Sequence, residues 1–183
     1  MSAVLGLLLA AGEGRRYGSP KVLAHQGLWL RYAVDALRDG GCGRVLVALG
    51  AADAPLPGGA EAVSVSRWAD GMGESLRAGL AAAARVPDAR YLAVHLVDLP
   101  DVDGRVVARV IRAAAGTPSG IARAFFGDRP GHPVVVSRQH WVPLCASAAG
   151  DEGGREYLGR QGEALVRVQC EDLASGRDQD VHG

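Results

Sequence analysis

The sequence of 183 residues predicts a three-layer α/β/α fold around a mixed, mainly parallel sheet with one antiparallel edge. Apolar runs typical of buried strands alternate along the chain with segments of helical periodicity. This alternation indicates parallel strands joined by right-handed crossovers. The exception is the stretch 126–131, where Gly127, Asp128 and Pro130 are typical of a hairpin turn and therefore of an antiparallel pair.

Each predicted strand and helix follows from the pattern of apolar residues in its own segment. The first strand is aliphatic at consecutive positions, as expected when both faces are buried. In the first helix Leu30, Ala33, Val34 and Leu37 recur at helical spacing before two glycines end it. The predicted strands are Ala3–Leu9, Arg44–Leu49, Ala62–Val65, Tyr91–Val97, Ile121–Phe126, Val134–Ser137 and Ala164–Val168. The predicted helices are Trp29–Asp39, Glu74–Arg85, Gly104–Ala115, Gln139–Ala146 and Gly154–Arg160.

Composition narrows the class of protein. The length fits a single domain, residues 1–183. Basic and acidic residues number 20 each, which argues against a general nucleic-acid or membrane surface. The first apolar run is too short to span a membrane. Three distant cysteines form neither a disulfide framework nor a metal-type spacing, so a cytoplasmic location is expected.

The loop after the first strand is the most informative segment. Its glycines free backbone N–H groups, and Arg15, Arg16 and Lys21 add positive charge, which together predict a polyphosphate site. It lacks the Gly-Lys pair of a P-loop. It also departs from the dinucleotide fingerprint, because Tyr17 stands where the last glycine belongs and Pro20 would interrupt a helix. A flexible glycine turn with solvated arginines is the plain alternative.

The run from Leu9 to Lys21 resembles the signature L-A-A-G-x-G-x-R-x-G-x-P-K of the MobA-like nucleotidyltransferases. Its Ala-Ala-Gly form is similar to that of the molybdenum cofactor cytidylyltransferases. The resemblance implies a Rossmann-like nucleotidyltransferase fold, with Arg16 and Lys21 as catalytic residues on the triphosphate. It also implies that the loop contacts the nucleotide through Leu9, Ala10, Ala11, Gly12, Glu13 and Gly14.

Asp98 follows the buried strand at 91–97, where ligands of open α/β sheets bind. A carboxylate there suits a hard cation such as Mg²⁺ bridging phosphate oxygens. The alternative is a cap on the next helix, for which Asp101 or Asp103 is better placed. The family resemblance, an Asp-x-Pro motif, implies a metal and nucleotide role for Asp98. His95, inside the same strand, is predicted to be a packed core residue.

The stretch 71–79 enters a helix and resembles the family's Gly-Met-x-x-Ser-Leu-x-x-Gly, which faces the nucleobase. Ser75 matches its serine, so the resemblance implies base or ribose recognition. The alternative is a plain helix start with an acidic first turn.

Two further motifs imply an acceptor site. Gly131-His132-Pro133 is similar to the family's Gly-His-Pro, and 150–155 is similar to Gly-Asp-x-Gly-Ala-Arg. His132, Asp151 and Arg155 are therefore expected to contact the acceptor, with Arg155 and a helix N-terminus forming a second anion site. The alternatives are a structural turn histidine and a capping aspartate beside a solvated arginine.

The C-terminal tail carries Asp178 and Asp180 in an Asp-x-Asp arrangement similar to that of the family, in which an Asp is the second metal carboxylate. Asp180 is the predicted ligand. The family's Thr-Pro does not follow, and a disordered polar terminus is the alternative.

The residues themselves predict a nucleotide-polyphosphate site, and the resemblance implies transfer of CMP from CTP to a molybdopterin-type acceptor, with Mg²⁺ and release of pyrophosphate. A molybdenum hydroxylase is a candidate client, and neither nucleic acid nor membrane is an expected partner. Two other classes stay open: a nicotinamide-dependent oxidoreductase, as some relatives are described, and a non-catalytic protein that carries the molybdenum cofactor.

Overall fold

The computed structural model describes residues 3–14 and 17–179. Seven strands form one sheet in the order β3-β2-β1-β4-β6-β5-β7. The strands are β1 (Val4–Leu9), β2 (Arg44–Leu49), β3 (Ala60–Ser64), β4 (Tyr91–Leu96), β5 (Ile121–Phe126), β6 (Arg129–Ser137) and β7 (Val166–Gln169). The helices are α1 (Ala24–Asp39), α2 (Met72–Ala84), α3 (Gly104–Ala115), α4 (Trp141–Ser147) and α5 (Arg155–Arg160).

The helices cover both faces of the sheet, as the sequence predicts. One core joins α1 and α3 to the sheet through residues such as Leu37, Val107 and Leu8. The other joins α2, α4 and α5 through Leu80 and Leu144. The three-layer α/β/α prediction is confirmed. Among residues 3–14 and 17–179, no helix is long and apolar enough to cross a membrane.

The antiparallel strand lies inside the sheet rather than at its edge. β6 runs antiparallel to both β4 and β5, whereas the other neighbouring strands are parallel. A two-residue turn at Gly127 and Asp128 returns the chain between β4 and β5, and β7 then adds outside β5. The hairpin prediction is correct, but the antiparallel strand is internal because β6 pairs with β4 on one side and with β5 on the other.

Two element boundaries differ from the sequence pattern by more than one or two residues. β6 begins at Arg129, five residues before the predicted start, because an antiparallel partner tolerates Pro130 and Pro133 near its end. α1 begins at Ala24, but 25–27 have left-handed backbone angles, so regular helix starts next to the predicted Trp29.

Strand direction decides where a site can form. The carboxyl ends of β1 and β4 and the amino end of β6 share one edge of the sheet, since β6 is reversed. The β1 loop, Asp98 and the segment 131–133 therefore meet at this edge, where ligands of open α/β sheets bind.

Candidate functional site

The loop after β1 is fixed at both sides. Ala10 N donates to Ala48 O at 3.1 Å, and Ala51 N donates to Ala11 O at 2.9 Å, which ties the loop to β2. Gly14 has φ +65°, and a Cβ there would lie 1.9 Å from Ser19 O, so only glycine fits. Within the described part of the loop, the backbone at Ala10, Ala11 and Gly14 is therefore constrained by specific contacts. Arg15 and Arg16 lie outside the described residues.

Lys21 and Asp98 form an ion pair at the strand ends. The distance from Lys21 Nζ to Asp98 Oδ2 is 2.8 Å, and the two side chains are 13% and 17% exposed. The other carboxylate oxygen, Oδ1, is buried and has no hydrogen-bond partner within residues 3–14 and 17–179. Burial raises the pKa of Asp98, and Lys21 opposes that rise. A buried carboxylate oxygen without a donor is a group that a cation would satisfy.

Lys21 is the only lysine in the chain, against 19 arginines. A lysine ammonium is a compact charge on a flexible stem, so it can exchange one anionic partner for another more readily than a planar guanidinium. The pairing with Asp98 thus places a movable cation at the polyphosphate loop.

Two adjoining clefts open at this edge. The Lys21 cleft has a volume of about 200 Å³ and is lined by Leu9, Ala10, Gly12, Gly14, Lys21, Met72, Leu96, Val97 and Asp98. The Ser75 cleft has a volume of about 320 Å³ and is lined by Leu9, Ala11, Gly12, Glu13, Gly14, Trp68, Ala69, Gly71, Met72, Ser75 and Asp151. Because they share loop residues, they form one continuous groove that suits an elongated ligand.

The Ser75 cleft is shaped by the start of α2. Gly71 has φ +106°, and a Cβ there would lie 2.5 Å from the Gly150 carbonyl carbon. This close approach brings the turn containing Asp151 onto the helix N-terminus and places Asp151 beside the cleft. Ser75 is 6% exposed. Both predicted residues therefore border the same cavity, although they come from motifs 76 positions apart.

The C-terminal tail is bound across the strand ends by Asp101. One carboxylate oxygen, Oδ2, accepts from Ser175 N at 2.7 Å, Ser175 Oγ at 2.6 Å and Gly176 N at 3.3 Å. Arg129 Nη2 donates to Ser175 O at 2.8 Å. Upstream, Arg109 makes a bidentate pair with Asp172 at 2.6 and 2.9 Å. Hydrogen bonds and an ion pair thus fix the tail between Asp172 and Gln179, unlike the disordered terminus of the alternative interpretation.

The held tail brings a second carboxylate near Asp98. Gln179 N donates to Asp98 O at 3.0 Å. The negative charge of Asp178 adds to the rise in the pKa of Asp98. Asp180, the predicted second ligand, lies outside the described residues. Within 3–14 and 17–179 no group of three or more His, Cys, Asp and Glu side chains is arranged to hold a metal.

His132 and Arg155 lie away from both clefts, next to Arg123. Arg123 Nε donates to Gly131 O at 2.9 Å. Burial, with smaller contributions from Arg123 and His95, lowers the pKa of His132 to about 3. His95 is fully buried, as predicted, neither ring nitrogen has a partner among the described residues, and burial lowers its pKa to about 4. Burial thus keeps both histidines neutral.

Sequence reasoning missed Asp101 and Arg123. Asp101 was considered only as a helix cap, and that role belongs to Asp103, which accepts from Arg105 N at 2.9 Å. Its link to the tail spans 74 positions and leaves no local pattern. Arg123 did carry a signal, since it is the one charged residue inside an otherwise apolar strand.

A polyphosphate loop, a buried Lys–Asp pair at a strand end and a groove beside them define a nucleotide-binding α/β protein. Residues 6–165 match the MobA-like NTP transferase domain, and the chain belongs to that nucleotidyltransferase family. It is 31% identical over 203 aligned residues to the nicotine blue oxidoreductase of Paenarthrobacter nicotinovorans, covering 99% of this chain and 94% of that protein.

Solved structures agree in fold. The homologue of Mycobacterium tuberculosis Rv0371c from Mycobacterium sp. strain JC1 is 27% identical, with a TM-score of 0.81 over 98% of this chain and 91% of that one. Rv0371c from M. tuberculosis H37Rv in complex with manganese is 26% identical, with a TM-score of 0.74 over 93% and 89%. The Rossmann-like nucleotidyltransferase fold is thereby confirmed.

Proposed function

We propose that this protein transfers CMP from CTP to a phosphorylated, molybdopterin-type acceptor and releases pyrophosphate. The observation that carries the proposal is the Lys21–Asp98 pair, 2.8 Å apart, at the floor of a groove that continues to Ser75. The triphosphate would lie at the Lys21 cleft and the base in the Ser75 cleft. CTP rather than another triphosphate rests on the Ala-Ala-Gly form of the loop.

The reaction needs no side-chain nucleophile. An oxygen of the acceptor phosphate attacks the α-phosphorus of CTP in line, a new P–O bond forms, and the bond from the α-phosphorus to the bridging oxygen breaks. Pyrophosphate leaves with that oxygen and its electron pair. Lys21 and the loop N–H groups hold the phosphates and neutralise the charge that develops during transfer. Arg16, which is outside the described residues, is proposed to assist Lys21.

A divalent cation, Mg²⁺ by expectation, fits at Asp98. Its buried Oδ1 is unpartnered, and the Asp178 carboxylate is close enough to affect its pKa. Asp98 and Asp178, with Asp180 from beyond the described residues, would hold the ion, which would neutralise phosphate charge when bound. The manganese complex of Rv0371c supports divalent-metal use in this family.

The acceptor would enter from the side of His132, Asp151 and Arg155. Asp151 borders the Ser75 cleft, and Arg155 begins α5 just beyond it. A molybdenum hydroxylase would be the protein that receives the finished cofactor. Both assignments extend the family resemblance.

A nicotinamide-dependent oxidoreductase is the second candidate. Its support is the 31% identity to a protein named nicotine blue oxidoreductase. The glycine pattern argues against it, since the loop lacks the third glycine of the dinucleotide fingerprint. Loss of absorbance by reduced nicotinamide in the presence of a quinonoid dye would support this candidate.

The test is pyrophosphate release from CTP, GTP and ATP, with Mg²⁺ and molybdenum cofactor as acceptor. With the acceptor present, we expect pyrophosphate release from CTP but not from GTP or ATP. Without the acceptor, we expect no release from any of the three. Equal release with all three triphosphates would reject the cytidylyl assignment. Absence of release, combined with oxidation of reduced nicotinamide, would favour the oxidoreductase.

A further inference from the structure

Arg123 is a partly buried cation without a carboxylate. Its Nε donates to Gly131 O, and within the described residues no acidic side chain pairs with its guanidinium. Taking a charge out of water without a partner is costly, and such a group is normally paired or replaced. Its presence in the strand therefore calls for a partner from outside the described residues, for which a ligand is the candidate.

The fold directs Arg123 towards the site. It lies two residues after Ile121 on β5, before the bulge, so it shares the sheet face on which Ile121 packs with α2, α4 and α5. Its hydrogen bond to Gly131 draws the guanidinium to the amino end of β6. The β4–β6 register sets this end beside the last residues of β4, just before Asp98.

Arg155 brings a second positive charge to the same place. It begins α5 on the same face, is exposed, and has no ion-pair partner among residues 3–14 and 17–179. Burial and the charge of Arg155 lower the pKa of Arg123. Two like charges held near one another raise the energy of the empty site and are relieved by an anion.

We propose that Arg123 and Arg155 together bind a phosphate monoester on the second substrate. This inference rests on the proposed function and adds Arg123, and the chemistry of the bound group, to the acceptor site. A phosphate monoester carries about −1.5 to −2 charges at neutral pH and so matches two guanidiniums, whereas a carboxylate carries one. Guanidinium forks also match phosphate geometry. His132, kept neutral beside them, can accept or donate a hydrogen bond without repelling the cations.

The experiment titrates phenyl phosphate into the protein by calorimetry, with the nucleotide groove saturated by a non-hydrolysable CTP analogue and Mg²⁺. We expect Arg123→Gln and Arg155→Gln each to weaken phenyl phosphate binding roughly tenfold or more, as loss of a charge-assisted hydrogen bond would. Affinity for the analogue is expected to stay the same. Arg160→Gln is the matched control, since Arg160 lies on the same helix but pairs with Glu156.

A second ligand and a second variant test the charge of the bound group and the role of Arg123. Benzoate in place of phenyl phosphate is expected to bind more than about tenfold more weakly, because it carries one charge. Arg123→Met is expected to raise the thermal midpoint while it abolishes phenyl phosphate binding, since it removes an unpaired buried charge. A lowered midpoint with unchanged binding would show a structural role and overturn the proposal.

The outcomes separate this inference from the proposed function. If the CTP analogue binds but phenyl phosphate has the same affinity for wild type, Arg123→Gln and Arg155→Gln, the Arg123–Arg155 phosphate site is rejected. The nucleotide assignment is then unaffected. If the analogue does not bind, yet phenyl phosphate still depends on both arginines, the nucleotide assignment fails and the anion site stands. Benzoate binding as tightly as phenyl phosphate would reject the phosphate assignment.

Discussion

The positive side chains at the two ends of the site differ in whether they have an acidic partner. At one end Lys21 is paired with Asp98 across 2.8 Å, and the tail adds Asp178. At the other end Arg123 and Arg155 pair with no carboxylate among the described residues. Burial lowers the pKa values of His95 and His132, which keeps both histidines neutral. The paired end is suited to exchange partners when a triphosphate and a cation arrive. The unpaired end is suited to receive an anion that the chain does not supply.

Removal of Lys21 breaks the paired end and has the largest expected effect. Lys21→Ala is expected to lower turnover about 10³-fold or more, because transition-state charge on the phosphates loses its cation. The fold should persist but lose stability, because removal of one partner of a largely buried pair leaves the Asp98 carboxylate without its cation. Pyrophosphate release and circular dichroism measure the two effects. Full activity in Lys21→Ala would remove this residue from the reaction.

The pH dependence of stability tests whether His95 is buried and neutral in the folded protein. Its folded pKa of about 4 lies below the ordinary 6.5, so the unfolded chain binds a proton first as pH falls. Stability should therefore be present above pH 6.5 and be lost between about pH 6.5 and 4, by about 3 kcal/mol. His95→Leu should remove this part of the dependence in urea unfolding measured across that range. Parallel curves for wild type and variant would contradict a neutral, buried His95.

Release of the C-terminal tail is expected to weaken Mg²⁺ binding at Asp98. Asp101→Ala removes the acceptor for three hydrogen bonds and should free 175–179 from the strand ends. Because Asp178 then leaves Asp98, we expect the Mg²⁺ concentration for half-maximal activity to rise about tenfold. Asp101→Asn, which keeps one oxygen, should recover part of the loss.

The matched control for Asp101 is Asp103→Ala. Asp103 caps α3, and its loss should cost about 1 kcal/mol of stability. Its hydrogen bonds and ion pair in the described residues are to Arg105 rather than to 175–179, so the Mg²⁺ requirement of the variant should not change. An equal rise in both variants would mean that the effect is general destabilisation rather than tail position.

Ser75 gives the smallest expected effect. A single neutral hydrogen bond to a base contributes about 0.5 to 1.5 kcal/mol, so Ser75→Ala should reduce the preference for CTP over GTP roughly three- to tenfold. The measurement is the ratio of kcat/KM values for the two triphosphates. Ser147→Ala, on a neighbouring helix outside the groove, is the control and should keep the ratio. An unchanged ratio in Ser75→Ala would exclude Ser75 from base selection.

Local patterns predicted the paired end well because its parts sit at strand ends. Apolar runs located β1 and β4, and strand direction then placed the glycine loop and Asp98 at one edge. The same reasoning predicted a buried His95. The position of β6 inside the sheet could not be predicted, because the pairing of β4 with β6 rather than with β5 joins distant segments and leaves no local pattern.

The unpaired end and the tail were harder because their contacts join distant segments. Asp101 and Ser175 are 74 positions apart, and no spacing indicates that they meet. Arg123 stands out as the one charged residue in β5, but the sequence does not show that it lies near Arg155 and His132, since an arginine in a strand can also belong to an exposed edge. Arg16 and Asp180 stay predictions from the family motif.

The most direct test of the central claim uses the single lysine. Because Lys21 is the only lysine, an amine-reactive reagent can modify one side chain, and mass spectrometry distinguishes it from the N-terminal amine. If the triphosphate binds at Lys21, CTP with Mg²⁺ should slow modification of Lys21 about tenfold or more while the N-terminal amine reacts at its usual rate. Equal rates with and without CTP would contradict the placement of the triphosphate at the Lys21–Asp98 pair.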